Sequence, residues 1–226
     1  MDYPGKELEI FDKATIWRKY VHFLVKNYLK EALLEVGAGI GSFTNNYKND
    51  FSDITLTELD KSNIQKLSEK FKNTKIKINS NYTSNQTNKF NTILYMNVLE
   101  HIEKDVEEIN IALEKLNVDG HLIILVPAHN ELFTKFDKEI GHFRRYKVDF
   151  FQNLNIGQNE ILKLHYLDCF GYFLYFLNKI FFKDEIYPSK FKIFIWDKIF
   201  TPFTIIIDKI FRYRYGKNIL CIIKKK

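Results

Sequence analysis

Three glycines at alternate positions, Gly37, Gly39 and Gly41, stand in the run Leu34-Glu35-Val36-Gly37-Ala38-Gly39-Ile40-Gly41. Glycine permits positive φ and close approach of backbone to a ligand. Such a loop at the carboxyl end of a strand, opening a helix over 42–48, would offer N–H groups to a nucleotide-like molecule. The dinucleotide fingerprint needs glycine where Ser42 stands, and a Walker loop needs a Gly-Lys-Ser/Thr that is absent. Seventeen residues past Gly41, Glu58 is placed for a carboxylate to accept hydrogen bonds from a ribose diol. The nearby Asp60 is the alternative acid, although Asp60-Lys61-Ser62 reads more as a helix N-cap.

Two further segments carry chemistry: Asn97-Val98-Leu99-Glu100-His101-Ile102, and Asp137-Lys138-Glu139-Ile140-Gly141-His142-Phe143-Arg144-Arg145-Tyr146. Histidine is the natural base near neutral pH, so His101 and His142 are the catalytic candidates, with His129 behind them. His142, Arg144, Arg145 and Tyr146 would clamp a phosphate or carboxylate on a substrate; the alternative is a loop of structural pairs. Cys169 and Cys221 have neither metal-ligand spacing nor the count of a disulfide scaffold, and read as small core residues. No metal site is legible.

Positioning these residues requires alternating strands and helices. Apolar runs predict strands at 33–36, 54–57, 75–78, 91–96, 121–126, 160–167 and 219–223. Helical periodicity predicts helices at 13–30, 61–71, 106–116 and 148–154. In the first of these, Ile16, Tyr20, Phe23, Leu24 and Tyr28 share a face. Residues 79–89 and 128–147 are polar connections. The alternation implies right-handed crossovers and an α/β fold, a Rossmann-like, seven-stranded, mostly parallel sheet with helices on both faces. Between strands six and seven lies a helical, aromatic insert, 170–215. There Ile193, Trp196, Ile199, Phe200, Phe203, Ile206, Ile207 and Ile210 follow spacings of three and four.

In order and spacing, residues 13–127 resemble class I S-adenosylmethionine-dependent methyltransferases. The Leu34–Gly41 run is similar to the family's first motif, Glu58 to its ribose-binding acid, and Asn97–Ile102 to the motif after strand four in small-molecule and quinone methyltransferases. The resemblance implies S-adenosyl-L-methionine as cofactor and S-adenosyl-L-homocysteine as product. It further implies that Glu35, Gly37, Ala38, Gly39 and Gly41 hold the methionine part, with Asn97 lining it through its backbone. Glu58 and Leu59 would then take the ribose side, and Asn79 and Ser80 the adenine, although the family's usual acid is missing at that last position. Gly141-His142-Phe143-Arg144-Arg145-Tyr146 resembles a signature of a bacterial subgroup associated with glycan and lipid-linked sugar assembly.

The 226 residues suit one domain: a cofactor-binding core at 13–127, a substrate-side connection at 128–160 and the insert at 170–215. A net charge of +6 favours an anionic partner, and the cations are spread along the chain. No apolar run reaches the ~18 residues of a spanning helix. The start shows no apolar signal segment, which predicts a cytoplasmic protein, with peripheral contact at the inner membrane face through 170–215 as a further expectation. The reading is methyl transfer to a small-molecule, glycan or lipid-linked acceptor. Its alternatives are a nucleic-acid methyltransferase, for which no flipped-base signature is present, and a non-catalytic membrane-associated S-adenosylmethionine-binding protein. An insert that caps the pocket and one that touches lipid are both compatible with the pattern.

Overall fold

The structure, a computed structural model, describes residues 6–181 and 187–226; the part of the predicted insert at 182–186 lies outside them. Seven strands form one sheet in the order β3-β2-β1-β4-β5-β7-β6. They are β1 (Leu33–Val36), β2 (Ile54–Thr57), β3 (Lys77–Asn79), β4 (Phe90–Met96), β5 (Leu116–Pro127), β6 (Glu160–Leu167) and β7 (Asn218–Lys224). β1 to β5 pair in parallel, whereas β7 runs antiparallel to both β5 and β6. This is the mostly parallel Rossmann-like sheet that the alternation predicted. Strand order reverses between β1 and β4, so the crevice for a ligand opens at their carboxyl ends. Because β6 runs in the direction of β5, the chain leaves it for the insert at that same edge.

Both faces of the sheet are covered, and the strands are accordingly apolar on both sides. On one face Leu33, Leu56, Leu94, Ile123 and Ile222 pack with α2 (Thr15–Val25) and α3 (Lys61–Lys70). On the other, Leu34, Ile93, Tyr95, Ile124 and Cys221 pack with α4 (Asp105–Lys115) and α6 (Val148–Gln152). Each fully buried aliphatic side chain of this kind contributes about 1.5–3 kcal/mol. Asp60 caps α3 as expected, its carboxylate accepting the Asn63 N–H at 2.9 Å.

Three expectations are corrected. No α-helix follows the glycine loop; residues 42–48 are turns with one short 3-10 turn, Thr44–Asn46. The hydroxyls of Thr44 and Tyr47 donate to the buried Glu35 carboxylate, and the Asn46 amide donates to the Phe43 carbonyl. Such side-chain bonds hold a compact turn against helix propagation. In α2 the buried face is Trp17, Tyr20, Val21 and Val25, while Phe23 is exposed.

The third correction concerns the insert, which consists of α7 (Cys169–Phe181) and a rod made of α8 (Lys190–Ile195), a π turn (Trp196–Phe200) and α9 (Thr201–Ile210). The predicted single apolar face splits. Ile193 and Trp196 point inward together with Asp197, Thr201, Thr204 and Asp208, whereas Ile199, Phe203, Ile206 and Ile210 point to solvent. The inner polar groups are all bonded. Asp208 accepts the N–H groups of Asp168 and Cys169 and the Tyr20 hydroxyl. Asp197 accepts the Ile16 and Trp17 N–H groups, and Asp168 accepts the Gly171 N–H and the Trp196 indole N–H. Buried carboxylates clasp the rod to α2 and to the start of α7 alongside apolar contacts such as Trp17 against Trp196, whose ring centroids are 5.6 Å apart.

Candidate active site

The turn after β4 packs directly on the glycine loop. Gly37 has φ +62°, and a Cβ there would stand 2.8 and 2.9 Å from the two Val98 methyl carbons. Two segments far apart in sequence therefore meet at the switch point. Gly39 also has positive φ, and Leu8 of α1 (Lys6–Phe11) lies over it. Asn97 holds φ +58°, uncommon for a residue with a side chain. Its N–H donates to the Leu125 carbonyl at 2.8 Å.

Glu58 reaches the loop as its spacing requires. One carboxylate oxygen accepts the Gly39 N–H at 2.8 Å, and the other accepts the N–H groups of Leu59 and Asp60 at 2.8 and 3.0 Å. Leu59 is exposed beside it and offers apolar surface. Asn79 is drawn close through its carbonyl, which accepts the Glu58 N–H, but its side-chain oxygen is turned back onto the Asn81 N–H and the Gln86 amide. Ser80 is exposed. Ala38 is buried, and its N–H donates to the Thr57 carbonyl.

Glu35 departs from expectation. It is 2% exposed and turned beneath the loop toward Thr44 and Tyr47, so it shapes the loop rather than presenting a carboxylate to a ligand. Burial pushes its pKa up to about 7 against the two hydroxyl donors.

The Asp137–Tyr146 loop closes over the turn after β4, the Phe143 N–H donating to the Glu100 carbonyl at 2.8 Å. His101 and His142 meet edge to face with centroids 4.6 Å apart, and Glu100 lies beside them. His101 does not have the near-neutral pKa expected of a base: burial, reinforced by His142, pushes it down to about 3. His142 Nδ1 is 2.9 Å from an Asp137 oxygen.

The proposed substrate clamp resolves into structural pairs. Arg145 is buried, with Nε and Nη2 donating to Asp137, Nη2 also to the Tyr175 hydroxyl, and Nη1 to the Ala128 carbonyl. Arg144 is spent on Asp105 and the Glu103 carbonyl, and the Tyr146 hydroxyl on Asp105 and the Leu99 carbonyl. Two guanidiniums already satisfied by carboxylates have little left for a substrate. His129 stacks on Tyr166 and bonds the Gly216 carbonyl, a structural pin. Burial opposes the charged form of Asp137, yet His142, Arg145 and the Thr134 N–H outweigh it and hold its pKa well below the usual carboxylate range.

Sequence reasoning passed over Glu100, Asp137 and Tyr175. An acid three residues after Asn97, and another five before His142, were the available signals; Tyr175 gave none, since only packing brings α7 to this loop.

Residues 34–122 match the family model described as a methyltransferase domain. A search of curated proteins returned no match. Among solved structures, a chain of the complex between the Haloferax volcanii Trm112 methyltransferase activator and the putative methyltransferase is similar at TM-score 0.66 and 9% identity, covering 98% of this chain and 94% of that one. A S-adenosylmethionine-dependent methyltransferase from Clostridium acetobutylicum is similar at TM-score 0.60 and 15% identity, with 97% and 98% covered. Coclaurine N-methyltransferase bound to N-methylheliamine and S-adenosylhomocysteine is similar at TM-score 0.60 and 12% identity, with 93% and 72% covered. At these identities the likeness is one of fold. Residues 34–122 thus match a methyltransferase domain, and they lie on a Rossmann-like sheet of the kind these methyltransferase structures share.

Proposed function

We propose that the protein transfers the methyl group of S-adenosylmethionine to a small or lipid-linked acceptor, a glycan carrier among them, taken from an anionic membrane surface. Gly37–Gly41 and Asn97 line the methionine side in this reading, Glu58 accepts from the ribose, and Leu59 with Asn79 and Ser80 borders the adenine. Methyl transfer from a sulfonium is an in-line displacement, so the protein's share is orientation and exclusion of water. His101 and His142 stand on the acceptor side as positioning groups.

The observation that carries the acceptor class is the outward apolar face of the insert. Phe173 and Phe176 of α7 and Phe191, Phe194, Phe203, Ile206 and Ile210 of the rod are exposed. Lys190, Lys209, Arg212 and Arg214 are exposed around them, while the rod's two acids, Asp197 and Asp208, are fully buried. An apolar face bordered by these cations suits an anionic lipid interface, and the insert leaves the sheet at the edge where the cofactor cleft opens. Among the described residues, no helix is long and apolar enough to cross a membrane.

The test incubates the protein with methyl-labelled cofactor and a bacterial membrane extract, alongside sedimentation with phosphatidylglycerol or phosphatidylcholine vesicles. Label in the organic-soluble fraction and preference for phosphatidylglycerol are expected, and Phe203→Ser with Ile206→Ser should weaken vesicle binding more than tenfold. Label confined to nucleic acid, or vesicle binding unchanged in that variant, would refute the reading.

A further inference from the structure

We infer that Glu100, His101 and His142 form a binding site for one divalent cation of the zinc type. Each offers one ligand atom, and the three atoms lie within 4.8 Å of one another. Glu100 and His101 come from the short turn after β4. His142 comes from the loop after β5, which is fastened to that turn through the Phe143 N–H and the Tyr146 hydroxyl. The site is thus held by two segments that the fold locks together.

Two independent observations point to a ligand. First, Glu100 is 0% exposed, and neither of its carboxylate oxygens has a hydrogen-bond partner among the described residues. His142, the Glu100 backbone N–H, the Asn97 side chain and Arg145 lie near enough to favour the charged form, none with the geometry of a full bond. His142 Nε2, at 3.8 Å from Glu100 Oε1, is too far to donate to it. A buried carboxylate is costly when nothing satisfies it, and a bound cation is one of the few arrangements that would.

Second, the outer partners that orient metal-binding imidazoles are present. His142 Nδ1 faces Asp137 at 2.9 Å, which directs Nε2 toward Glu100. Asp137 is itself fixed by Arg145 and by the Thr134 N–H and hydroxyl. His101 is hydrogen-bonded to the backbone of Gly141 and Ile140. Carboxylate and carbonyl partners of this kind set the tautomer and ring direction of ligating histidines.

The donor set selects the ion. Two imidazoles and a carboxylate suit Zn²⁺ and its first-row neighbours, while Mg²⁺ and Ca²⁺ prefer oxygen throughout. Three protein ligands leave a fourth position open, the pattern of sites that also bind a reactant. Ligand atoms about 2.0–2.2 Å from Zn²⁺ stand roughly 3.4 Å apart in a tetrahedron, so the side-chain tips close by about an ångström on binding. Use of the open position to hold an acceptor oxygen rests on the proposed methyl transfer; cation binding itself does not.

The experiment is calorimetric titration of the chelator-treated, full-length protein with Zn²⁺ alone, repeated with Co²⁺ to read the electronic absorption of the bound ion. Binding of one equivalent is expected, with Co²⁺ bands characteristic of nitrogen and oxygen ligands. Glu100→Gln, which keeps the shape of the side chain, should weaken binding at least tenfold, and so should His101→Gln, both checked for folding by circular dichroism. Failure of the wild-type protein to bind either ion, or binding in folded Glu100→Gln as tight as in wild type, would overturn the site. A parallel titration with S-adenosylhomocysteine separates the two claims: cofactor binding without Zn²⁺ binding overturns only the cation site, and Zn²⁺ binding without cofactor binding supports the site while removing its proposed use.

Discussion

Replacing Gly37 with alanine tests whether the glycine loop and the turn after β4 form one unit. At φ +62° an L-residue costs about 1–2 kcal/mol. The added Cβ would also stand 2.8 and 2.9 Å from the Val98 methyl carbons, well inside van der Waals contact. Valine is stiff about χ1 and cannot swing both methyls away at once, so the overlap adds about 1–3 kcal/mol. Gly37→Ala should therefore lose about 2–5 kcal/mol in urea unfolding, and affinity for S-adenosylhomocysteine should fall with it. Val98→Ala alone removes partly buried methyl groups at a cost of about 1 kcal/mol. Combined with Gly37→Ala it relieves the overlap but leaves the backbone penalty. The double variant should thus be more stable than the sum of the single losses by about 1–3 kcal/mol, a coupling of the size expected for residues in contact. Strict additivity, with cofactor affinity equal in Gly37→Ala and the wild type, would refute the reasoning.

Glu58→Ala removes a carboxylate that accepts three loop N–H groups; calorimetry should show S-adenosylhomocysteine binding weakened by about 1–3 kcal/mol. Glu35 should make stability depend on pH in a defined window. Burial raises its folded pKa to about 7 from an ordinary 4.5, so its contribution is complete below about 4.5 and is lost as pH rises through about 7. Urea melts across that range should flatten in Glu35→Gln relative to the wild type, and an unchanged slope would exclude the buried carboxyl as the source. Asp137→Asn leaves the buried Arg145 without its charge partner and should cost about 3–5 kcal/mol. Thermal melts measure this, and a loss below about 1 kcal/mol would mean that the loop is held by other contacts. Asp208→Ala should leave the sheet folded while loosening the insert, seen as faster amide exchange at Asp168 and Cys169, whose N–H groups it accepts.

The strands were legible because each is a short apolar run ended by polar or glycine residues; β1, β2 and β6 have the predicted limits. Glu58 was legible because the parallel pairing of neighbouring β1 and β2 places a carboxylate just after β2 beside the loop after β1. What failed depended on side-chain pairings that strand and helix periodicity does not register. The glycine loop predicts a helix over 42–48, but Thr44 and Tyr47 are drawn to a buried Glu35. Arg144, Arg145 and Tyr146 carry the chemistry of a clamp, and only the fold reveals that Asp105 and Asp137 already occupy them.

Spacing alone determined the seven strands, the glycine loop and the placing of Glu58 beside it, since these depend on local periodicity and on crossover length. Tertiary structure decided how the polar side chains around Glu35, Asp137 and the insert are oriented. It turned the apolar face of the insert outward, because three buried aspartates, Asp168, Asp197 and Asp208, claim the inner side through hydrogen bonds that residue order does not encode. It also brought Glu100 and His101 to His142, forty-one residues beyond His101, by fastening one loop over another strand's turn.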